Sequence, residues 1–400
     1  MKQISERIFY CGILNPNLRV FDVVMRTDFG TSYNAYVVKG SEATAIIDAA
    51  HYSFSGLFLE ELREALGGRQ PDYLVVNHTE PDHSGAIAAM LEVWPGLTVV
   101  TNGVAAKYLR QMLSRDFSPR IVKDGDTLPL GDCGLRFLIA PFLHWPDSMM
   151  TWLPEEGTLF SCDVFGCHYC EQGVTDANVT YERDYQAAFR YYYDCIFGPF
   201  RPFVQKGLQK LESLDLQRIC PSHGPVLTRG CKLESALDAY QQWSAPVEKA
   251  DTTPQVPVFY CSAYGNTARI GRAVREGILE ARPGAACALH DLTGCNMPAM
   301  GALLNQSDAF ALGCLTINRD AVPPLWALLS HADAVNMPKR PCALFGSYGW
   351  SGEAFANIAA RLQMLKCNVF EEQFRVNFVP SGEELAQARA FGRRFAERLP

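Results

Sequence analysis

The chain has 400 residues, 48% of them hydrophobic and 20% charged, with a net charge of −7. That is room for two globular domains with sizeable cores, and the negative balance disfavours a nucleic-acid surface or an anionic membrane as partner. No stretch approaches the roughly 18 apolar residues of a membrane span, and the polar residues 1–6 lack the apolar core of a signal peptide, so a cytoplasmic protein is expected.

The fourteen cysteines are scattered, which in a chain of this length points to reduced thiols rather than a disulfide framework. The one close pair, Cys167-His168-Tyr169-Cys170, has no second pair to complete a zinc knuckle and is read as loop thiols.

In chain order, residues 21–25, 36–38 and 43–47 are strand-like, and 30–34 are predicted as a turn. Asp48 follows a strand end, a place for a supporting carboxylate, and residues 54–66 have helical spacing. An antiparallel start followed by strand–helix alternation predicts an αββα sandwich. The apolar run 73–76 then leads into Asn77-His78-Thr79-Glu80-Pro81-Asp82-His83-Ser84-Gly85. His78, Glu80, Asp82 and His83 are four metal-ligand side chains within six residues, at the C-terminal end of a predicted buried strand. Alternation would turn His78, Glu80 and Asp82 to one side if the backbone stayed extended. A plain polar turn rarely carries two histidines and two carboxylates at this spacing.

A helix is predicted over 86–94, a strand at 98–100 and a helix at 103–113. Three later strands each end in one further ligand-type residue: 135–140 leads to His144, 158–162 to Asp163, and 218–221 to His223. Each alone is weak, since a lone His or Asp after a strand is commonly a cap or solvated turn. Four strand ends repeating the arrangement point to a metal centre. Seven such side chains suit two divalent ions with a bridging carboxylate, and Asp163, arriving alone from its own strand, is the natural bridge. Mixed imidazole and carboxylate donors with an open position suit oxygen-activating iron better than structural zinc.

Residues 244–257 are polar and proline-punctuated and read as a linker, placing one domain at 1–250 and another at 254–400. In the second, strands at 258–261, 287–290, 309–312, 342–345 and 368–370 alternate with helices, including 268–279 and 383–398. This predicts a flavodoxin-like, doubly wound parallel sheet. Ser262-Ala263-Tyr264-Gly265-Asn266-Thr267 joins the first strand to its helix. Hydroxyls beside a helix N-terminus, without the lysine of a P-loop, suit the phosphate of FMN. Two more strand-end loops, with Thr316-Ile317-Asn318 and Ser347-Tyr348-Gly349-Trp350-Ser351-Gly352, offer glycines and stacking rings to a flat isoalloxazine.

The ordered set His-x-Glu-x-Asp-His, His-Trp-Pro-Asp-Ser-Met, Phe-Ser-Cys-Asp and Pro-Ser-His-Gly, followed by a flavodoxin-like half, resembles the flavodiiron proteins (A-type flavoproteins) over essentially the whole chain. These belong to the wider metallo-β-lactamase superfamily, whose usual second motif histidine is Glu80 here. The resemblance implies one iron held by His78, Glu80 and His144, another by Asp82, His83 and His223, and Asp163 between them. It implies FMN passing electrons to a diiron site that reduces dioxygen to water, nitric oxide to nitrous oxide, or both. It implies a separate donor, rubredoxin or a flavin reductase, and a head-to-tail homodimer or a tetramer made of two such dimers. Cys314-Leu315 departs from the usual Ser-Pro of the family. By the same analogy Trp145, Tyr191 and Tyr192 line the pocket, although core packing is the plainer role for the tyrosines. A binuclear zinc hydrolase fused to a flavodoxin is the alternative enzyme, and an electron carrier or redox sensor the alternative without turnover; Glu80 and the intact ligand set weigh against them.

Overall fold

A computed structural model describes residues 2–114, 117, 119–246 and 253–399. It divides into two compact units, Met1–Val247 and Glu248–Pro400. Residues 247–252 of the predicted linker lie outside the described residues. The start of that linker is a correction: Leu233–Ser244 is helical, and Ser244 is buried with its hydroxyl donating to the Tyr240 carbonyl at 2.6 Å.

The first unit is built on two sheets, of seven and six strands. Tyr36–Lys39, Thr44–Ile47, Tyr73–Val75 and Thr98–Thr101 are neighbours in one; Gly134–Ile139, Met149–Leu153, Thr158–Cys162 and Arg218–Pro221 in the other. Successive side chains leave opposite faces of a strand. Val38, Ile47, Val75 and Val100 therefore meet Phe137, Met149 and Phe160 of the second sheet in one core. Their neighbours Val37, Ile46, Leu74 and Val99 face a second core with helices Ser55–Leu66 and Ile87–Val93. This two-sided burial is the expected αββα sandwich.

Three local expectations fail here. Residues 21–25 are not one strand: Val20–Phe21 pairs with Met25–Arg26 across a turn in which Asp22 and Val23 have φ of 46° and 57°. Thr31–Tyr33, predicted as a turn, is a buried strand paired with Ile13–Asn15. The alternating extension through Asp82 stops at Glu80, because Pro81 opens a helical turn, Pro81–Ser84; proline fits the first position of a helix, where its missing N–H is no loss.

The second unit is a five-stranded parallel sheet in the order Leu289–Asp291, Val258–Tyr260, Phe310–Cys314, Pro341–Tyr348, Asn368–Asn377. Helices Asn266–Ala281 and Gly382–Glu397 share one core with it; Met297–Gln306, Pro323–Ser330 and Ala354–Met364 share another. Helices in two separate cores make the sheet doubly wound, as predicted. The first and last helices approach through glycines: a Cβ on Gly277 would lie 1.8 Å from the Arg389 carbonyl, and one on Gly392 2.1 Å from that of Val274. Two strands run further than expected, Pro341–Tyr348 and Asn368–Asn377, so Gly346, Ser347 and Tyr348 are strand and not loop. At Gly346 a Cβ would stand 1.9 Å from the Cys314 carbonyl, which explains the glycine inside the sheet.

Candidate metal centre and flavin loops

The seven predicted ligand side chains come together, six of them buried and His144 nearly so. Two groups form, His78, Glu80, His144 and Asp163 in one and Asp82, His83 and His223 in the other. Asp163 faces both. Its Oδ2 is 3.7 Å from Nε2 of His78 and of His144, while its Oδ1 is 3.0 Å from His83 Nε2 and 3.6 Å from His223 Nε2. Glu80 Oε2 lies 3.2 Å from His78 Nε2 and 3.0 Å from His144 Nε2, and Asp82 Oδ2 is 3.1 Å from His223 Nε2.

The surroundings fix which ring nitrogen points inward. The Ser32 carbonyl only accepts, so His223 Nδ1–H donates to it at 2.6 Å and Nε2 is turned to the cage. His78 Nδ1 meets Asp147 Oδ2 at 3.3 Å, which turns its Nε2 to the cage in the same way. Asp147 is itself anchored by the Thr79 N–H and hydroxyl, at 2.8 and 2.7 Å. Asp48, predicted as a supporting carboxylate, clamps the entry to the motif: it accepts from the Asn77 backbone at 2.7 Å and side chain at 3.0 Å. Burial pushes the Asp48 carboxyl up to about 6, against the opposing pull of the His83 charge and the Asn77 donors.

Electrostatics favour cations here. Burial opposes charge on Asp163, but His83, His78 and His144 together outweigh it and hold the carboxyl well below the usual range. Burial likewise opposes charge on His83, yet Asp82 and Asp163 push it up to about 10. His78 also rises well above its ordinary value, against burial, through Asp147 and Glu80. Both oxygens of Asp82 are buried with no hydrogen-bond partner among the described residues. What faces them is His83 Nε2 at 3.4 Å and His223 Nε2 at 3.1 Å, and buried carboxylate oxygens without hydrogen bonds are costly unless positive charge meets them. Four imidazoles and three carboxylates converging on one buried space therefore fit two metal ions. One expected result follows. The neighbouring carboxylates favour the protonated forms of His78 and His83, and binding requires neutral imidazole, so metal uptake should release protons. Calorimetry in buffers of different ionisation enthalpy measures their number; no release would mean the cage is already deprotonated.

Sequence reading gave the tyrosines a plain core role. Tyr192 is buried, but its hydroxyl donates to Asp163 Oδ1 at 3.0 Å, and burial pushes its pKa well above 10, keeping the donor protonated. Tyr191 is exposed, its oxygen 3.4 Å from the Arg26 backbone N–H. A π-helical segment, Tyr193–Phe197, follows Glu182–Tyr192 and brings Phe197 edge-on to His144 at 6.4 Å. Trp145 stands edge-on to His78 at 5.0 Å. Two neighbours went unnoticed in the sequence. Asp22, in the turn misread as strand, hydrogen-bonds Glu80, and burial pushes it up to about 6. His168, passed over inside the cysteine pair, is buried 4.8 Å from His223 with Nδ1 against Thr31 Oγ1 at 2.8 Å. Cys167 and Cys170 are both free thiols.

An expected result bears on Asp147. Asp147→Asn removes the anion that orients His78, and iron affinity should fall about 10–100-fold, read by chelator competition. Unchanged affinity would show that Thr79 and the loop alone hold the ring.

In the second unit the three predicted loops stand at the C-terminal ends of neighbouring strands. Gly265 (φ 81°) precedes helix Asn266–Ala281 with open space where a Cβ would be. Ser262 Oγ accepts from Ala268 N–H at 3.2 Å, and Thr267 is buried in the first helical turn. Thr316–Ile317 pairs with Asp320–Ala321 as a hairpin whose tip, Asn318 and Arg319, has φ of 57° and 61°; both residues being left-handed fits a type I′ turn. Ser347 is buried, its hydroxyl donating to the Phe378 carbonyl at 2.6 Å, and Tyr348 lies edge-on to Phe355. Tyr264 is 93% exposed and Trp350 96%. Two uncovered rings on loops of the same sheet edge, beside an open helix N-terminus, fit a flat phosphorylated ring system such as FMN.

Comparison with known proteins agrees with this geometry. Residues 31–224 match the ODP family beta lactamase and residues 258–392 the flavodoxin family. The chain is 42% identical to flavo-diiron protein FprA2 of Clostridium acetobutylicum, over 99% of both chains. It is 38% identical to type A flavoprotein fprA of Rhodobacter capsulatus, over 99% of this chain and 91% of that one. Among solved structures, the rubredoxin oxygen:oxidoreductase of Desulfovibrio gigas aligns over 100% of this chain and 98% of its own, with a TM-score of 0.71 and 26% identity. The flavodiiron protein of Giardia intestinalis aligns over 100% and 96%, with a TM-score of 0.68 and 27% identity. On both its domains and its full-length relatives, the chain belongs to the flavodiiron family of type A flavoproteins.

Proposed function

We infer that this chain is an oxidoreductase in which electrons pass from FMN to a diiron site that reduces dioxygen to water, nitric oxide to nitrous oxide, or both. The observation that carries this reading is the placement of Asp163, one oxygen toward each of two donor groups. When bound, the two irons supply Lewis acidity and electrons, and FMN supplies reducing equivalents. His78, Glu80 and His144 would hold one ion and Asp82, His83 and His223 the other, with Asp163 serving both. Tyr192 keeps a proton on its hydroxyl and donates a hydrogen bond to Asp163 Oδ1, which holds that carboxylate in its orientation. Trp145 and Phe197 wall the cage with apolar ring edges, which limits water. Residues 262–267, 316–318 and 347–352 are assigned to FMN, with Ser262 and the first helical turn toward its phosphate. The zinc-hydrolase alternative leaves the flavodoxin match without a role.

The corresponding division is a diiron domain at 1–250 and an FMN domain at 254–400. No helix among the described residues is long and apolar enough to cross a membrane, and a cytoplasmic location is proposed. Rubredoxin, which forms part of the name of the Desulfovibrio gigas relative, or a flavin reductase is the proposed donor. Protein made with ample iron should contain about two irons and one FMN per chain, by metal analysis and flavin absorbance; zinc alone would overturn the reading. Anaerobic turnover of the reduced enzyme with each gas, side by side, determines the substrate.

A further inference from the structure

The second unit holds two thiols that the electron path does not use. Cys342 is fully buried near the start of strand Pro341–Tyr348, and Cys367 is half-buried just before the neighbouring strand Asn368–Asn377. The strands are parallel, with Cys342 opposite Val369 and the Asn368 N–H bonded to the Arg340 carbonyl at 2.9 Å. Cys367 lies two residues before Val369, so the two thiols stand on the same side of neighbouring strands in one core, close enough for each to perturb the other. Cys367 Sγ also lies 3.9 Å from the Met337 carbonyl. Arg340 stands beside them, its guanidinium fixed by the carbonyls of Leu304, Asn305 and Asn336 at 2.9, 2.7 and 3.1 Å. Those neutral acceptors hold the cation in place, with the Asp333 and Asp308 carboxylates also acting on it.

We propose that Cys342 and Cys367 are a peroxide-sensitive dithiol that closes reversibly to a disulfide at the end of the sheet opposite the flavin loops. Cys367 is the attacking sulfur. Contact with Cys342, and then the Arg340 charge, draw its pKa below the ordinary thiol value despite burial. Cys342 is pushed up by the same contact and by burial, so it keeps its proton and donates it. The Cys367 thiolate attacks hydrogen peroxide, the O–O bond breaks, a sulfenic acid forms, and the hydroxide released takes up the thiol proton to become water. Cys342 sulfur then attacks the Cys367 sulfur, an S–S bond forms, and hydroxide leaves and takes the Cys342 proton as a second water. Two thiols and one peroxide yield one disulfide and two waters. A low-pKa, accessible thiol next to a resolving cysteine is what such chemistry needs.

The chain supplies its own comparators. Cys195 and Cys231 are exposed, yet burial of the sulfur pushes both thiols up. The test takes the oxidised holoenzyme, adds hydrogen peroxide stepwise without oxygen, blocks remaining thiols with N-ethylmaleimide and maps peptides by mass. The expected result is one cross-link, Cys342 to Cys367, formed before Cys195 or Cys231 loses reactivity, reversed by dithiothreitol, with FMN and iron retained. Cys342→Ser should then leave Cys367 as a sulfenate that dimedone traps, and Cys367→Ser should give neither product. Wild-type mapping decides the matter even if a variant fails to fold. Earlier oxidation of Cys195 or Cys231, or overoxidation of Cys367 without the cross-link, would overturn the proposal.

Discussion

Asp163→Asn should cost more than about 100-fold in turnover, beyond the 10–100-fold typical of a residue that only supports a ligand. The reason lies in its two oxygens, each turned to a different group of donors. An amide keeps one weak oxygen and turns an N–H₂ toward the other side, where a cation would be repelled. It also removes the negative charge that offsets His83, so the cage is left with an excess of positive charge once metal is present. Iron content should fall with turnover, while FMN content stays at the wild-type level because its loops belong to a separate compact unit. Full iron and full turnover in the variant would remove Asp163 from the bridge.

The second large effect is a gain. Electron transfer weakens steeply with distance, so each flavin must lie near some diiron site, but nothing requires that site to be on the same chain. We propose that a closed two-fold, head-to-tail dimer would meet the requirement by pairing the flavin of one chain with the metals of the other. Asp163→Asn is expected to be inactive by itself. Ser262→Glu should be inactive too, because it sets a carboxylate at the helix N-terminus where the FMN phosphate is assigned. After subunit exchange, a mixed dimer holds one wild-type flavin facing one wild-type metal cage, and activity should return to a substantial fraction of wild type. Exchange shown by mass without any recovery would mean that electrons stay within one chain.

Much of this centre was legible because its ligands are chemically conspicuous and sit at strand ends, where residues such as His78 and His223 interrupt runs of buried β-formers. The αββα and doubly wound architectures were legible for the same reason, since alternation and apolar runs follow directly from burial. What was lost depended on shape. Residues 21–25 are as apolar as a strand, yet two of them adopt left-handed φ, so Asp22 reaches Glu80 from a turn. Thr31–Tyr33, between Gly30 and Asn34, has the composition of a turn but is a buried strand, and the Ser32 carbonyl orients His223. Tyr192 sits among core tyrosines on its helix, and only the three-dimensional path shows its hydroxyl on Asp163. The ends of the flavin-side strands were set too early because glycine and serine read as loop, whereas Gly346 is required by the close approach of the Cys314 carbonyl.

The glycine contact between the first and last helices of the second unit has a consequence for how the protein is made. Helix Asn266–Ala281 emerges from the ribosome early in that unit, but the groove that seals its apolar side is filled by Gly382–Glu397, which emerges last. Until then Ile270, Val274 and Ile278 have no Phe391 or Phe395 to cover them. The unit therefore cannot close until Gly382–Glu397 has been made, and FMN, whose phosphate loop leads into the first helix, is held firmly only from that point on.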